Sequence, residues 1–405
     1  MRASTPAVET AGATEAGRRP VSRPKLASAL RRVGEGLASL ELTLAALSAL
    51  MLLVVVCTLA QARLGLLGAV DAYIRSLFVY AVVPGTAWRV PVFPGGGLVG
   101  LVLLANLTAA QFLRLERTRR KAGMWLVHIG LVLLFVGEFV TGFFQRETQM
   151  ILPEGASRSF VESPRELELV VIDGSDAAFD QVYSVPGRSL LRRTHLEHER
   201  WPFVLFVKRY FPNASLEQRL PGEAGPPSLA TAGLGPQLVV VERPTAVSED
   251  RSDEPAVFVE AMSGDRSLGT WLLSTQLGAE QTLAHEGRPY RLAFRRKRTH
   301  LPFSIALKDF KRELHPGTDI PRHFSSLVRL TDPAKREDRD VLISMNQPLR
   351  YGGLAFYQAS FAENDTVSIL QVVRNPGWTL PYLACALVSL GLAWHFLQRF
   401  SGAKP

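Results

Sequence analysis

Two histidines, His128 and His395, lie inside long apolar stretches of the sequence. An ionisable side chain is costly within a membrane span and usually faces a partner or a cavity, so both are candidates for a functional role. Neutral imidazole is also a common protein ligand for metal ions. The alternative for His128 is a hydrogen bond to a polar side chain of a neighbouring helix, such as Glu41, Asn106 or Gln111.

His395 has a simpler alternative explanation. It lies near the end of its apolar stretch, beside Trp394 and Arg399, where an amphipathic side chain can reach water. This interfacial position is the favoured interpretation. The sequence nevertheless predicts nearly the same membrane depth for His395 and His128, so the two could in principle hold one metal from opposite faces. Glu138, ~15 Å along the helix from His128, is predicted to have a structural role near the interface.

The other histidines lie in a long polar segment. His195 and His198 occur three residues apart in RRTHLEHER, but the H-E-x-x-H order of a zinc-binding helix is absent. Both are therefore predicted to be exposed. His315, in ELHPGTDIP, is a weak candidate for contact with a ligand, and the alternative is a turn residue satisfied by the backbone.

Cysteine usage excludes several redox functions. The two cysteines, Cys57 and Cys385, both fall inside apolar stretches, and the sequence contains no C-x-x-C. The chain therefore has no dithiol centre of its own and no attachment site for c-type haem. Gly95 to Gly97 with Gly100 formally match G-x-G-x-x-G, but no strand precedes them, so they predict a flexible start to a helix rather than a dinucleotide site.

The charge pattern indicates a membrane protein. The chain has 405 residues, 47% of them apolar, and a net charge of +9. The cations cluster beside the apolar stretches, as the positive-inside rule describes, so nucleic-acid binding is not indicated. These clusters are Arg18, Arg19, Arg23, Lys25, Arg31 and Arg32, and then Arg114, Arg117, Arg119, Arg120 and Lys121.

Four apolar stretches predict transmembrane helices, at Leu40–Ala60, about 98–115, Met124–Phe144 and Trp378–Leu397. Gly130 and Gly137 lie seven residues apart, which favours close packing of the third helix on a neighbour. The fold class predicted is a multi-pass α-helical membrane protein, with four transmembrane helices and a large β-rich extracytoplasmic domain. The basic clusters place both termini in the cytoplasm and residues 61–94 and 145–377 outside.

The predicted domains follow from this topology. Residues 1–36 form a disordered cytoplasmic tail, residues 37–144 a three-helix membrane region with an outer loop at 61–94, and residues 378–398 the fourth helix before a tail at 399–405. Residues 145–377 contain many short apolar or alternating segments punctuated by Gly, Pro and Asp. They predict antiparallel β-sheet, as a sandwich or open barrel, with loops at about 212–236 and 243–255.

One stretch is more distinctive than the rest, Asn346–Phe361 (NQPLRYGGLAFYQASF), which is followed by NPGWTLPYL just before the last apolar helix. Its aromatic residues could offer faces to a ligand, but the favoured interpretation places Phe356 and Tyr357 in a core, with the glycines allowing a tight turn or bulge. With Phe310, ELHP, Pro321 and Ser325-Ser326, the stretch resembles the ResB (CcsB) family of system II cytochrome c biogenesis proteins. The resemblance covers about residues 38–398.

This resemblance carries functional implications. It implies a subunit of the cytochrome c synthase in the bacterial cytoplasmic membrane, which helps carry haem b, as a transient substrate, across the membrane for attachment to apocytochrome c. It implies a CcsA-type partner that supplies the tryptophan-rich haem-handling motif, with an indirect link to a thiol-reducing pathway. His128 matches the position of the family's haem-associated histidine. Because the tryptophan-rich motif belongs to the partner, the chain is not expected to be catalytic alone. The alternative is a haem-independent scaffold or chaperone that binds apocytochrome or another partner.

Overall fold

The computed structural model describes residues 24–86, 88–176, 178–219, 227–245, 253–318, 321–362 and 366–400. Residues 1–23 of the predicted N-terminal tail and 401–405 of the C-terminal tail lie outside the described residues. Within these described ranges, four helices are long and apolar enough to cross a membrane, as the sequence predicted. With a shorter helix before them, the helices are α1 (Pro24–Leu37), α2 (Leu40–Ala69), α3 (Gly96–Leu113), α4 (Ala122–Phe144) and α5 (Leu380–Phe400).

The prediction that residues 1–36 are disordered is wrong for 24–36, which belong to α1. Apolar residues recur there at helical spacing among the arginines, a pattern that the overall polarity of the tail concealed. Asn106 of α3 fixes the break between α1 and α2. Its Nδ2 donates to the carbonyl oxygens of Leu37 (2.6 Å) and Ser39 (2.9 Å), and its Oδ1 accepts from Thr43 Oγ1 (2.7 Å).

The outer loop predicted at 61–94 is shorter in the structure, because its first residues belong to a helix. The helix α2 continues to Ala69, bends at Gly65 (φ 69°) and ends in a π-helical turn, Val70–Ile74. A hairpin of β1 (Phe78–Val82) and β2 (Arg89–Pro94) then leads into α3. The glycines before α3 allow close backbone contact rather than flexibility, because a Cβ on Gly96 would lie 2.4 Å from the Ile74 carbonyl oxygen.

The helices α4 and α5 pack tightly through glycines spaced seven residues apart. A Cβ on Gly123 would lie 2.6 Å from the Gly391 carbonyl oxygen, and one on Gly130 would lie 2.9 Å from the Ala384 carbonyl oxygen. A Cβ on Gly137 would lie 3.0 Å from Leu380 Cβ. The predicted close packing at Gly130 and Gly137 is confirmed, and α5 is the neighbour. We call this antiparallel contact the glycine seam.

The large domain is β-rich, as predicted. Its longer strands are β3 (Arg146–Pro153), β4 (Ser157–Asp173), β5 (Gln181–Pro186), β7 (Val204–Phe211), β10 (Ala256–Ser263), β11 (Arg266–Ser274), β13 (Arg288–Leu314), β14 (Pro321–Asp332), β15 (Glu337–Ser344), β17 (Leu354–Ala362) and β18 (Val367–Arg374). The shorter ones are β6 (His195–Leu196), β8 (Ala214–Gln218), β9 (Leu238–Glu242), β12 (Gln281–His285) and β16 (Leu349–Tyr351). Residues 214–218, which were predicted to be part of a loop, form β8 and pair with β9. The sequence prediction was wrong here because this short, mostly polar segment shows no clear alternation.

The domain contains two main cores. One, which we call the Trp201 lobe, lies between the sheet β11-β10-β7-β6 and the parts of β4, β12 and β13 that pair together. The other, the Phe356 lobe, is enclosed by a curled sheet of order β15-β14-β13-β4-β3-β18-β17-β16. The long strands β4 and β13 pass through both lobes. Burial of fully enclosed side chains such as Leu292 and Phe356 stabilises each lobe by roughly 1.5–3 kcal/mol per side chain.

The β domain joins the helices with almost no intervening loop. Only Gln145 separates α4 from β3, which pairs with β18 from Arg146↔Arg374 outward. Asn375, directly after β18, donates from Nδ2 to Thr141 Oγ1 and Gln145 Oε1, both at 3.2 Å. The helix pair α4/α5 thus continues as the strand pair β3/β18, so the position of the domain depends on the glycine seam.

Candidate functional site

His128 lies on α4 near the helix end that is remote from the β domain. At about 100° per residue, it is ~140° around the helix from Gly123 and therefore points away from the glycine seam. It shares its face with Phe135, seven residues further along, which packs against a cluster of Ala46, Val99 and Leu103 from α2 and α3. His128 therefore faces the side of α4 where α2 and α3 lie.

The imidazole of His128 has a defined hydrogen bond. Its Nδ1 lies 2.8 Å from the Met124 carbonyl oxygen, which can only accept. Nδ1 must therefore carry the proton, and in the neutral ring the Nε2 lone pair is free. The side chain is half-buried. A ring held through Nδ1–H with Nε2 available is the arrangement that histidine ligands of metals commonly adopt.

The alternative role for His128 was a hydrogen bond to Glu41, Asn106 or Gln111. The structure places these three residues in different environments. Asn106 is buried and its amide bonds the α1–α2 junction. Glu41 is exposed, and within the described residues no hydrogen bond or ion pair joins it to His128. Gln111 is 2% exposed, donates from Nε2 to the Trp125 carbonyl oxygen over a long 3.4 Å, and leaves Oε1 without a partner among the described residues.

Gln111 Oε1 is thus a buried amide oxygen near α4 that has no hydrogen-bond partner among the described residues. A buried amide oxygen without a hydrogen bond costs about 1–3 kcal/mol. Sequence reasoning named Gln111 only as a possible partner of His128. Its unsatisfied oxygen, which marks it as a second polar group at the same end of the helices, depends on packing that no sequence signal reveals.

His395 does not form a pair with His128. On α5 it lies one turn from Gly391, and its backbone contacts Gly123 in the glycine seam. His128 is five residues beyond Gly123, or ~7.5 Å along the helix, and on a different face. The predicted matched depth is therefore wrong, because the seam fixes the register of the two helices. The half-buried ring beside Phe396 agrees with the interfacial interpretation.

The remaining predicted residues lie elsewhere on α4 or in the β domain. Glu138 is exposed on α4. His315 is exposed in the turn after β13, where its backbone carbonyl oxygen accepts hydrogen bonds from Thr318. His195 and His198 are exposed, as predicted, although the His198 ring packs 4.5 Å from the Tyr183 ring centre. Within the described residues, no group of three or more His, Cys, Asp or Glu side chains could hold a metal ion.

The distinctive stretch Asn346–Phe361 connects the Phe356 lobe to α5. Arg350 lies 4.5 Å over the ring of Trp378, two residues before α5 begins. Gly352 (φ 58°) and Gly353 (φ 76°) form the two-residue turn between β16 and β17, which needs this backbone conformation. A Cβ on Gly352 would also lie 2.9 Å from Phe303 Cε1, so a larger residue would be strained and crowded.

Side chains of this stretch are mainly structural. Phe356 is fully buried, as predicted, whereas Tyr357 is only half-buried. Gln358 accepts from Ser326 Oγ (2.6 Å) through Oε1 and donates from Nε2 to Ser368 Oγ (3.1 Å). Both serines are completely buried, so Gln358 satisfies polar groups inside the Phe356 lobe.

The Tyr351 hydroxyl donates to Asp332 Oδ2 at 2.7 Å. The bond and the amide of Lys335 lower the pKa of Asp332, while burial and the adjacent carboxylate raise the pKa of Tyr351. Lys335 completes the group, with its Nζ 4.4 Å from the Tyr351 ring centre. This interaction fixes the end of β14 against β16 and has no sign of catalytic use.

Residues 272–369 match the ResB-like family model, and all of these residues lie in the β domain. The chain is 27% identical to Protein NrfI of Wolinella succinogenes over 305 residues, which are 75% of this chain and 30% of NrfI. It is 31% identical to the cytochrome c biogenesis protein CcsB of Synechococcus elongatus over 103 residues, which are 25% of this chain and 21% of CcsB. The chain thus spans less than a third of the length of these curated relatives. Residues 272–369 are therefore ResB-like, and the chain is similar to NrfI and to the cytochrome c biogenesis protein CcsB.

Proposed function

We propose that this protein is a membrane component of cytochrome c biogenesis that helps to move haem b across the membrane. In this proposal His128 binds the haem iron near the cytoplasmic face. The β domain, on the outer side, then helps to present haem and apocytochrome c for thioether attachment. A CcsA-type partner completes the site, with apocytochrome thiols kept reduced by a separate pathway, because the chain itself contains no C-x-x-C.

The observation that carries the proposal is the state of the His128 ring. Its Nδ1–H donates to the Met124 carbonyl oxygen, which leaves Nε2 as a free lone pair on a half-buried side chain within an apolar helix. Neutral imidazole with a free nitrogen is the usual protein ligand of haem iron. The homology to a cytochrome c biogenesis protein supports haem as the group that His128 would bind.

The orientation in the membrane is part of the proposal. Basic residues cluster at the end of the helices remote from the β domain, at Arg119, Arg120 and Lys121. The positive-inside rule places this end, and His128 with it, on the cytoplasmic side of a bacterial cytoplasmic membrane. The β domain would then lie outside, where cytochromes c mature. Reporter fusions at residues 118 and 264 would map the side of the membrane on which each residue lies. A reporter at residue 118 that is active on the outer side would contradict this orientation.

The test is the haem that copurifies with the chain when it is expressed with a CcsA-type partner. We expect His128→Ala to lose most of this haem, and added imidazole to restore part of it, because a free ligand can occupy the vacated iron position. His395→Ala is the matched control on the adjacent helix and should retain wild-type haem. Equal and negligible haem in wild type and His128→Ala would remove the ligand proposal.

A haem-independent scaffold is the second candidate, and one observation favours it. The family match lies entirely within residues 272–369, so it covers the β domain and not the helix that carries His128. A strain with His128→Ala that makes normal amounts of holocytochrome c, while one lacking residues 145–377 makes none, would support the scaffold. If His128→Ala alone abolished holocytochrome c while the variant was present at normal levels, the haem-independent scaffold would be excluded.

A further inference from the structure

Two arginines lie directly opposite each other where the β domain meets the helices. Arg146 begins β3 immediately after Gln145, Arg374 ends β18, and the two are paired at the helix end of the β3–β18 ladder. Paired residues on antiparallel strands project to the same face of the sheet, with Cβ atoms ~5 Å apart. Both side chains are exposed. Like charges in this arrangement destabilise a strand pair, so an anion bound between the two guanidinium groups would stabilise it.

The carboxylate next to this pair in the sequence is already engaged elsewhere. Glu147 follows Arg146, but successive residues of a strand project to opposite faces of the sheet. On its own face Glu147 accepts hydrogen bonds from Gln145 Nε2 at 2.6 Å and from Gln371 Nε2 at 3.2 Å. It therefore does not neutralise the two arginines.

A second carboxylate, that of Glu166 on β4, is outnumbered by cations. Lys297 Nζ donates to it at 2.7 Å, and this hydrogen bond, together with the charges of Lys297, Arg188 and Arg146, lowers the pKa of Glu166. Among the described residues, no ion pair joins Arg146, Arg188 or Arg374 to an acid. This end of the domain therefore carries positive charge that the described part of the chain leaves uncompensated.

The lengths of α4 and α5 place this surface at the level of the lipid headgroups. The helices have 23 and 21 residues, or ~35 and ~32 Å, which is sufficient for a hydrocarbon core of ~30 Å. Exposed aromatic residues surround the same end, with Phe143 and Phe144 at the end of α4 and Trp378 and Tyr382 flanking the start of α5. Tryptophan and tyrosine concentrate at the membrane–water interface, so Arg146 and Arg374 lie just outside the hydrocarbon.

Membrane topology does not explain these arginines. The positive-inside rule accounts for the basic cluster at the opposite end of the helices, at Arg119, Arg120 and Lys121, and disfavours a second cluster at this end. The anions present at the headgroup level are phospholipid phosphates. Guanidinium groups bind phosphate oxygens through pairs of charge-assisted hydrogen bonds, so an arginine pair is suited to this partner.

We propose that Arg146 and Arg374 together bind the phosphate of an anionic phospholipid, which neutralises the paired charges and holds the β3–β18 ladder at the membrane surface. A zwitterionic lipid offers the same phosphate, but its own ammonium group offsets the attraction to the arginines. The proposal makes no use of haem and is therefore independent of the function proposed for His128.

The test uses the full chain, delipidated in a neutral detergent and titrated with phosphatidylglycerol or phosphatidylcholine, with bound lipids counted by native mass spectrometry. We expect Arg146→Gln with Arg374→Gln to lose one tightly bound phosphatidylglycerol per chain, with affinity at this site at least about tenfold weaker, because charge-assisted hydrogen bonds are removed. The matched control removes two exposed arginines from other strands, Arg266→Gln with Arg322→Gln, and should bind as many lipids as the wild type does.

Arg374→Glu separates lipid binding from a merely structural role. It gives Arg146 an acidic partner on the paired strand, so in lipid-free detergent this variant should melt at a higher temperature than the wild type, as followed by circular dichroism of the β domain. Added phosphatidylglycerol should raise the melting temperature of the wild type but not that of Arg374→Glu.

An unchanged number of bound phosphatidylglycerol molecules in the Arg146/Arg374 variant would overturn the proposal, as would a wild-type lipid response in Arg374→Glu. Equal stabilisation of the wild type by inorganic phosphate at the same concentration would also overturn it and assign the arginine pair to a free anion. Equal binding of phosphatidylcholine and phosphatidylglycerol at this site would show that the net charge of the lipid is not recognised.

Discussion

The glycine seam makes a quantitative prediction through Gly130→Ala. The added Cβ would lie 2.7 Å from Val388 Cγ2 and 2.9 Å from the Ala384 carbonyl oxygen, where ordinary contacts begin near 3.4 Å. Backbone cannot yield as a side chain can, so α5 must move by roughly 0.5 Å or more. Overpacking of this kind costs about 1–3 kcal/mol.

The matched control is Gly142→Ala on the same helix. Its Cβ would meet no atom within 4 Å, so it gains only the higher helix propensity of alanine, about 1 kcal/mol. Gly130→Ala gains the same propensity. The difference in unfolding free energy between the two variants therefore isolates the seam, and we expect Gly130→Ala to be the less stable by about 1–3 kcal/mol.

The measurement is reversible unfolding of both variants in mixed micelles by increasing SDS, followed by circular dichroism and tryptophan fluorescence. Because β3 and β18 continue directly from α4 and α5, the displaced seam should also weaken the Asn375 bonds and raise amide exchange at Gly377, whose N–H donates to Asn375 Oδ1. Equal stability of the two alanine variants would refute the reasoning, since it would mean that the helices do not approach as closely as the structure shows.

Three further predictions concern polar contacts. Gln358→Leu should destabilise the Phe356 lobe by about 2–4 kcal/mol in denaturant titration, because Ser326 and its buried serine partner lose a hydrogen bond each. Tyr351→Phe should raise the pH at which the protein loses stability in acid, because it removes the hydrogen bond that lowers the pKa of Asp332. The stability that this lowered pKa contributes is complete above the unfolded pKa of ~3.9. It is lost as the pH falls through the folded pKa. Asn106→Leu should weaken the α1–α2 junction by about 2 kcal/mol, at ~0.6 kcal/mol for each of three hydrogen bonds, and increase proteolysis after residue 37.

The first of these predictions has a matched control, and the other two have outcomes that would contradict them. Gln371, exposed on β18 and bonded to Glu147 at the surface, should tolerate leucine with a change below about 0.5 kcal/mol. An acid transition unchanged by Tyr351→Phe would mean that the hydroxyl does not hold the Asp332 pKa low. Asn106→Leu with wild-type proteolysis would show that packing, rather than the amide, fixes the junction.

Long apolar stretches predicted α3, α4 and α5 within a few residues, and the start but not the end of α2. A membrane span must satisfy its own backbone polar groups and therefore needs about 20 apolar residues in succession. The strands were predicted less completely. Residues 256–259 are buried on both faces of one sheet, against the Trp201 lobe on one side and β8–β9 on the other, so their apolar run lacks the alternation that marks a strand. The helix α1 was missed for a different reason, since its amphipathic pattern is diluted by arginines.

Sequence alone determined the number of candidate spans, the β-rich nature of residues 145–377, the absence of a C-x-x-C motif, and the presence of His128, a residue with ligand chemistry, inside an apolar stretch. These properties depend on residue type and local spacing. Only the tertiary structure decided that His128 and His395 lie on different faces and levels, that Asn106 is satisfied while Gln111 is not, and that Arg146 and Arg374 lie opposite each other on paired strands. Those outcomes depend on the register of packed helices and on strand pairings between residues more than a hundred positions apart, such as Tyr290 with Asp173, which no local pattern encodes.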